Sequence, residues 1–116
     1  MSEQILVMGA RNGAFLLTEA NGERSRAAIT LAATAEALPS GQVLGKLASG
    51  EHVPYNAAGT DGSETAVAVL YIGKPASEVA QPAAAVVRDA EVVESLLVGA
   101  DEAALADLLA VGIVAQ

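Results

Sequence analysis

One imidazole, that of His52, and no thiol at all bound the chemistry open to this chain of 116 residues. Without cysteine there is no thiolate nucleophile, disulfide, iron–sulfur cluster or cysteine zinc site, and a lone histidine has no second imidazole with which to hold a metal. His52 could complete a Ser-His-Asp arrangement only if Ser25, Ser63 or Ser95 approached it in space, and no Gly-x-Ser-x-Gly elbow presents such a serine. It reads as an ordinary surface or interface histidine. Gly45-Lys46 has the ending of a phosphate loop, but Leu47 stands where the hydroxyl is required and Ser40 where the first glycine belongs. Asp61-Gly62-Ser63-Glu64 offers oxygen donors without the alternating Asp/Asn series of a calcium loop, and reads as a turn. Glu19 with Glu23, and Asp101 with Glu102, are carboxylate neighbours of the kind that can share acid and base work in a cleft. Here they read as a solvated joint and a helix N-terminus. No catalytic residue, metal site or cofactor is expected.

The elements that would position these groups follow from composition and pattern. The chain is long enough for one ordinary domain and too short for two with separate cores. Six basic against fourteen acidic residues give a net charge of −8, so polyphosphate is repelled and a nucleic-acid partner is not expected. Hydrophobic residues make up 53%, yet 26 of them are alanines and the aromatic set is Phe15, Tyr55 and Tyr71. Aromatic side chains bury about 150–250 Å² each, and their scarcity suggests a protomer that draws stability from neighbouring subunits. Met1-Ser2-Glu3-Gln4 carries an acid where a secretion signal needs bases, and Ile5–Met8 is too short for its apolar core, so export is not expected. No apolar run approaches the roughly 18 residues of a membrane span, and a soluble chain without a membrane partner is expected.

Ile5 to Ala10 and Ala14 to Thr18 are apolar runs around Asn12-Gly13, the pattern of a hairpin, and an isolated hairpin needs a surface to cover it. The polar stretch 19–27 reads as a joint, which divides the chain into an N-terminal arm and joint, 1–26, and a domain, 27–116. Strands are expected at Ala28–Thr34, at Gln42–Leu47 and Glu51–Tyr55 as a hairpin, at Ala66–Ile72 and at Ala83–Ala90. Asn56–Thr65 has no apolar periodicity and reads as a surface loop, and Gly73–Pro82 as a connector, with Pro75 and Pro82 kept out of strand interiors. Asp101 to Val111 is the one helix, capped by Asp101, stopped by Gly112, with Ala104, Leu105, Leu108 and Leu109 on one face. Gly112–Gln116 is an apolar tail fit to pair or pack locally.

Four blocks in this order carry a resemblance from Glu19 onward. They are Glu19-Ala20-Asn21-Gly22-Glu23-Arg24-Ser25-Arg26; Gly41-Gln42-Val43-Leu44-Gly45-Lys46 leading to His52-Val53-Pro54-Tyr55; Thr60-Asp61-Gly62-Ser63-Glu64-Thr65 running on to Tyr71; and Val86-Val87-Arg88-Asp89-Ala90-Glu91-Val92 before the helix and the Leu-Ala-Val-Gly-Ile-Val ending. Together they resemble the bacteriophage head decoration proteins, the cementing family related to the lambda capsid decoration protein. The run Ile5–Thr18 does not map onto that family's usual N-terminus. The resemblance implies a mainly β domain of the β-clip type with one short C-terminal helix and an N-terminal extended arm or hairpin. It also implies a homotrimer on three-fold axes of an expanded phage head, no enzymatic activity, and the major capsid protein as partner, bound on the outer surface of the virion after synthesis in the host cytoplasm. Under it the N-terminal segment is loose in the free trimer and adds to the capsid strand to strand.

Seven large apolar residues crowd the front of the chain: Ile5, Leu6, Val7, Met8, Phe15, Leu16 and Leu17. They are the expected capsid contact, and an internal hairpin of the domain is the alternative use for them. A trimeric β-clip hydrolase or a soluble small-ligand or interaction module is the alternative function. Leu105, Leu108, Leu109, Ile113 and Val114 suit either a protomer core or a subunit seam.

Overall fold

The strands that appear in the sequence as unbroken apolar runs are buried on both faces, and the architecture explains why. The computed structural model describes residues 13–19 and 25–116. In chain order these form β1 (Leu16–Glu19), β2 (Arg26–Leu31), β3 (Val43–Lys46), β4 (His52–Pro54), β5 (Ala66–Leu70), β6 (Gln81–Val86), β7 (Ala90–Val92), a 3-10 turn (Glu94–Leu96), α1 (Glu102–Ala110) and β8 (Ile113–Ala115). Five strands close a barrel in the order β2-β4-β3-β5-β6, and β1-β7-β8 make a separate sheet. The chain is thus mostly β with one short C-terminal helix, as its pattern predicts.

Alternate residues of the barrel strands divide between two cores. Leu31, Leu38, Leu44, Ala68, Leu70 and Ala85 cluster together, while Val43, Val69 and Val86 point the other way and join Phe15, Val92, Ala104, Leu108 and Ile113. Neighbouring side chains of a strand point to opposite faces, so both faces of β3, β5 and β6 are covered and no polar alternation survives in their sequences. The strand pairings Val43↔Val69, Leu44↔Ala68 and Gly45↔Ala66 skip Val67, a bulge that turns Ala66 to the same side as Val69.

Most expected elements are present. The β3–β4 hairpin pairs Leu44↔Pro54 through Lys46↔His52. Asp101 caps α1 by accepting a hydrogen bond from Ala104 N at 2.8 Å, and Gly112, at φ +90°, ends it in a conformation that favours glycine. Two expectations are corrected, on Pro82 and on the run Ala83–Ala90, and the tail pairs locally as expected. Pro82 lies inside β6, opposite Thr30. Val87 N–H donates to Ser25 C=O, so the hydrogen-bonded pairs of this ladder fall on odd-numbered residues and the Thr30–Pro82 pair needs no donor from proline. The strand expected at Ala83–Ala90 ends at Val86, with Asp89 at φ +52°, and Ala90 starts β7 in the other sheet. The tail is β8, parallel to β7 within the same protomer. Leu108 and Ile113 are buried, whereas Leu109 and Val114 are exposed.

Candidate functional site

The described half of the front segment, residues 13–19, is held by its own turn and by β7. Gly13, at φ +76°, opens a turn closed by Leu16 N–H on its carbonyl, and its own N–H donates to Ser40 Oγ at 2.9 Å. A Cβ on Gly13 would come within 2.9 Å of the Tyr71 ring, so glycine is required by contact as well as by conformation. Phe15 is 1% exposed and meets Tyr71 edge to face at 6.5 Å between ring centres. Its carbonyl accepts from Val93 N–H.

β1 runs antiparallel to β7 with pairs Leu16↔Val92, Thr18↔Glu91 and Glu19↔Ala90. The register changes between the first two, so Leu17 has no partner opposite it and is expelled, 52% exposed. Leu16 stays half-buried against the core. The outer face of this sheet carries Thr18, Glu91 and Val114 in a row. Glu91 accepts from Thr18 Oγ1 at 3.1 Å and from Gln116 Nε2 at 3.0 Å, and Leu17 and Val114, on the two outer strands of this sheet, are exposed. Glu19 grips Arg26 through both carboxylate oxygens, one at 2.9 Å from Nε. The Arg26 guanidinium lies 4.0 Å from the centre of the Tyr71 ring. Of the expected contact residues, Leu17 is therefore presented to solvent, Leu16 is half-covered and Phe15 is enclosed by the protomer. Ile5, Leu6, Val7 and Met8 lie outside the described residues.

The serines that could assist His52 are placed apart from it, two of them occupied in structural work. Ser25 donates to the Asp89 carbonyl at 2.8 Å and Ser63 to Asp61 Oδ1 at 2.6 Å, while Ser95 sits in the exposed 3-10 turn. Hydrogen bonds from Ser63 hold the Asp61 carboxyl below the usual carboxylate range. Gly62 lets this turn close on β3, since a Cβ there would collide with the Lys46 carbonyl, and a Cβ on Gly45 would come within 2.7 Å of the Ser63 backbone. The glycines beside Lys46 thus serve a tight crossing. Asp101 also accepts from the Tyr55 hydroxyl at 3.0 Å, and Asp107 accepts from Ala66 N at 3.1 Å, which ties α1 to β5. Burial and the neighbouring Asp101 raise the Tyr55 pKa. His52 is buried with Nδ1 unpartnered, and burial followed by the Lys46 charge pushes its pKa below the ordinary imidazole value. Among the described residues no three His, Cys, Asp or Glu side chains gather as a metal site would require, and no helix is long and apolar enough to cross a membrane.

The sequence reading missed the Arg26–Tyr71–Phe15 stack and the Thr18–Glu91–Gln116 row. Ile113-Val114-Ala115 is apolar throughout, so no alternation in the sequence signalled that Val114 faces outward.

The architecture is a β fold with two covered cores, with Leu17 exposed at the chain's front and several polar side chains committed to turns and caps. The model of the bacteriophage lambda head decoration protein D family matches residues 5–113, nearly the whole chain, and so includes the run Ile5–Thr18, which the resemblance alone left unplaced. This chain belongs to that family, whose members are structural components of the phage capsid. A search of curated proteins finds no match.

Proposed function

We propose that this chain is a non-enzymatic cementing protein that binds the exterior of the expanded head as a homotrimer at three-fold axes and braces it against the pressure of packaged DNA. The observation that carries the reading, beside family membership, is the bulge at Leu17. It turns a leucine outward from a strand whose neighbour Phe15 is locked in the core, so the front segment is anchored at one end and apolar at the surface. Ile5, Leu6, Val7 and Met8, with Leu17 at their foot, supply the contact with the major capsid protein. Leu16 and Phe15 fix its root.

Ordering a segment costs about 1–2 kcal/mol per residue in backbone entropy, which offsets most of what its few apolar side chains gain on burial. A trimer changes that balance: once one arm docks, the other two bind at high effective concentration without any new contact. Three chains at −8 also carry about −24, which suits a face turned away from packaged DNA and gives no attraction to nucleic acid or anionic membranes.

The test is sedimentation with expanded heads that lack decoration. The full chain is expected to pellet with them, and a version lacking residues 1–12, which keeps Phe15 and β1, is expected to fold normally and stay in the supernatant. Co-sedimentation of the shortened chain at full strength would overturn the arm's role. A full chain that ignores expanded heads would overturn the proposal itself.

A further inference from the structure

The barrel has one weak closure. β2 is paired with β6 from Arg26↔Val86 to Leu31↔Gln81, and β4 with β3 from Leu44↔Pro54 to Lys46↔His52. β2 and β4 meet at a single pair, Leu31↔His52, where Ala32 N–H donates to the His52 carbonyl at 2.9 Å. Parting that pair leaves the other ladders of the barrel intact and turns it into an open sheet in the order β2-β6-β5-β3-β4.

The residue at this closure is the one side chain whose charge changes near neutrality. His52 is 6% exposed and its Nδ1 has no hydrogen-bond partner. A neutral ring forfeits one acceptor bond there, whereas a protonated ring is a buried charge with nothing to receive its proton, which costs far more. The surroundings oppose the charge as well. Lys46 of β3 stands directly across from His52. Arg88, which has a partner of its own, lines the same groove from beyond β6. β2 contributes the uncharged residues Ala27 to Thr30 to that groove, and no carboxylate lines it, Glu51 beside His52 in the chain included.

We infer that His52 is an acid-released latch on the barrel: a proton on its ring is accommodated by parting the β2–β4 pair, which lets water reach the imidazole while β4 stays on β3. The sign follows from the closed form. Burial and then the Lys46 charge hold the imidazole below its ordinary 6.5, so the closed barrel binds a proton less tightly than the open one. Closure is fully favoured above that value and is lost as pH falls through the pKa of the closed form. The device needs neither a capsid nor a second copy of the chain.

Hydrogen exchange of the full chain, followed amide by amide at one protein concentration and corrected for the intrinsic effect of pH, tests it. The Ala32 amide reports the closure. Leu70 N–H, which donates to Gln42, reports the core, and Tyr55 N–H, which donates to Val43, reports the hold of β3 on the segment that follows β4. Ala32 is expected to exchange through a local opening of little urea dependence, with protection at least about tenfold below that of Leu70 and less than that of Tyr55. Between about pH 7.5 and about pH 5.5 its protection is expected to fall at least about fivefold, because the opening is linked to one proton. His52→Gln, which cannot titrate, is expected to abolish the fall. Lys46→Gln keeps the ring and removes the opposing charge, so it is expected to lessen the fall, and it decides if His52→Gln does not fold. Ala32 as well protected and as urea-sensitive as Leu70, protection at Ala32 indifferent to pH, or an acid response equal to the parent's in either folded variant would each overturn the inference.

Discussion

β1 and β2 are consecutive strands, each with an edge that no described strand fully covers, and they expose opposite chemistry. β1 is bulged, presents Leu17 and pairs with β7, whose Glu91 carboxylate is held by two hydrogen bonds. β2 is regular, presents alanine and threonine, and is bordered by cations. An apolar edge gains by being buried wherever a large shell offers cover, whereas a charged edge with little apolar area gains mainly from a complementary partner. One small domain thus carries two non-interchangeable surfaces, and the Glu19–Arg26 clasp joins the end of one strand to the start of the other.

The largest blow to this contrast comes from Phe15→Ala. It empties the root of β1 and is expected to cost about 3–5 kcal/mol, read as a lower urea midpoint with an unchanged slope; a cost below 1 kcal/mol would mean that β1 hangs from the domain instead of being rooted in it. Arg26→Ala removes the clasp and the cation over Tyr71. The pair is partly exposed, so solvent screening limits its share, and about 1–2 kcal/mol is expected in total from ion pair, ring contact and lost stem packing. A smaller effect belongs to the β2 side. The folded state holds the His52 pKa below the ordinary 6.5, so the unfolded chain binds more protons as pH falls below that value and stability declines with acidification. The contribution is fully present above pH 6.5 and is lost downward through the folded pKa. His52→Gln is expected to flatten this part of a melting-temperature profile, and an equal slope in both proteins would assign it to other groups. The smallest effect on folding is that of Leu17→Ser, within about 0.5 kcal/mol as for other exposed sites, while binding to expanded heads weakens. A large loss of stability would place Leu17 with Phe15 instead of opposite it.

Much of this arrangement is legible in the residues. Asp101 and Gly112 bracket the helix because cap and stop chemistry are local, and the β3–β4 hairpin and the loop at 56–65 are set by turn residues in the same way. The front of the chain is harder. Phe15 and Leu17 are both large and apolar, and only a change of register opposite Val92 and Glu91, fixed by a strand some seventy residues away in sequence, sends one inward and the other out. Pro82 misleads for a related reason: proline is excluded from a ladder only where a donor is needed, and that depends on the parity of pairing with β2. The run Ala83–Ala90 does carry a mark of its break: the charged pair Arg88-Asp89 follows Val87, and with Asp89 at φ +52° it is where the chain leaves one sheet for the other.

Tyr71 has a consequence for experiment. The chain has no tryptophan and only two tyrosines, and this one touches the ring of Phe15, the guanidinium of Arg26 and the space that Gly13 leaves open. Its near-ultraviolet absorption and emission are a built-in optical gauge of whether the front of the molecule is seated. Tyr55, at the cap of the helix, is the internal standard against which that gauge can be read.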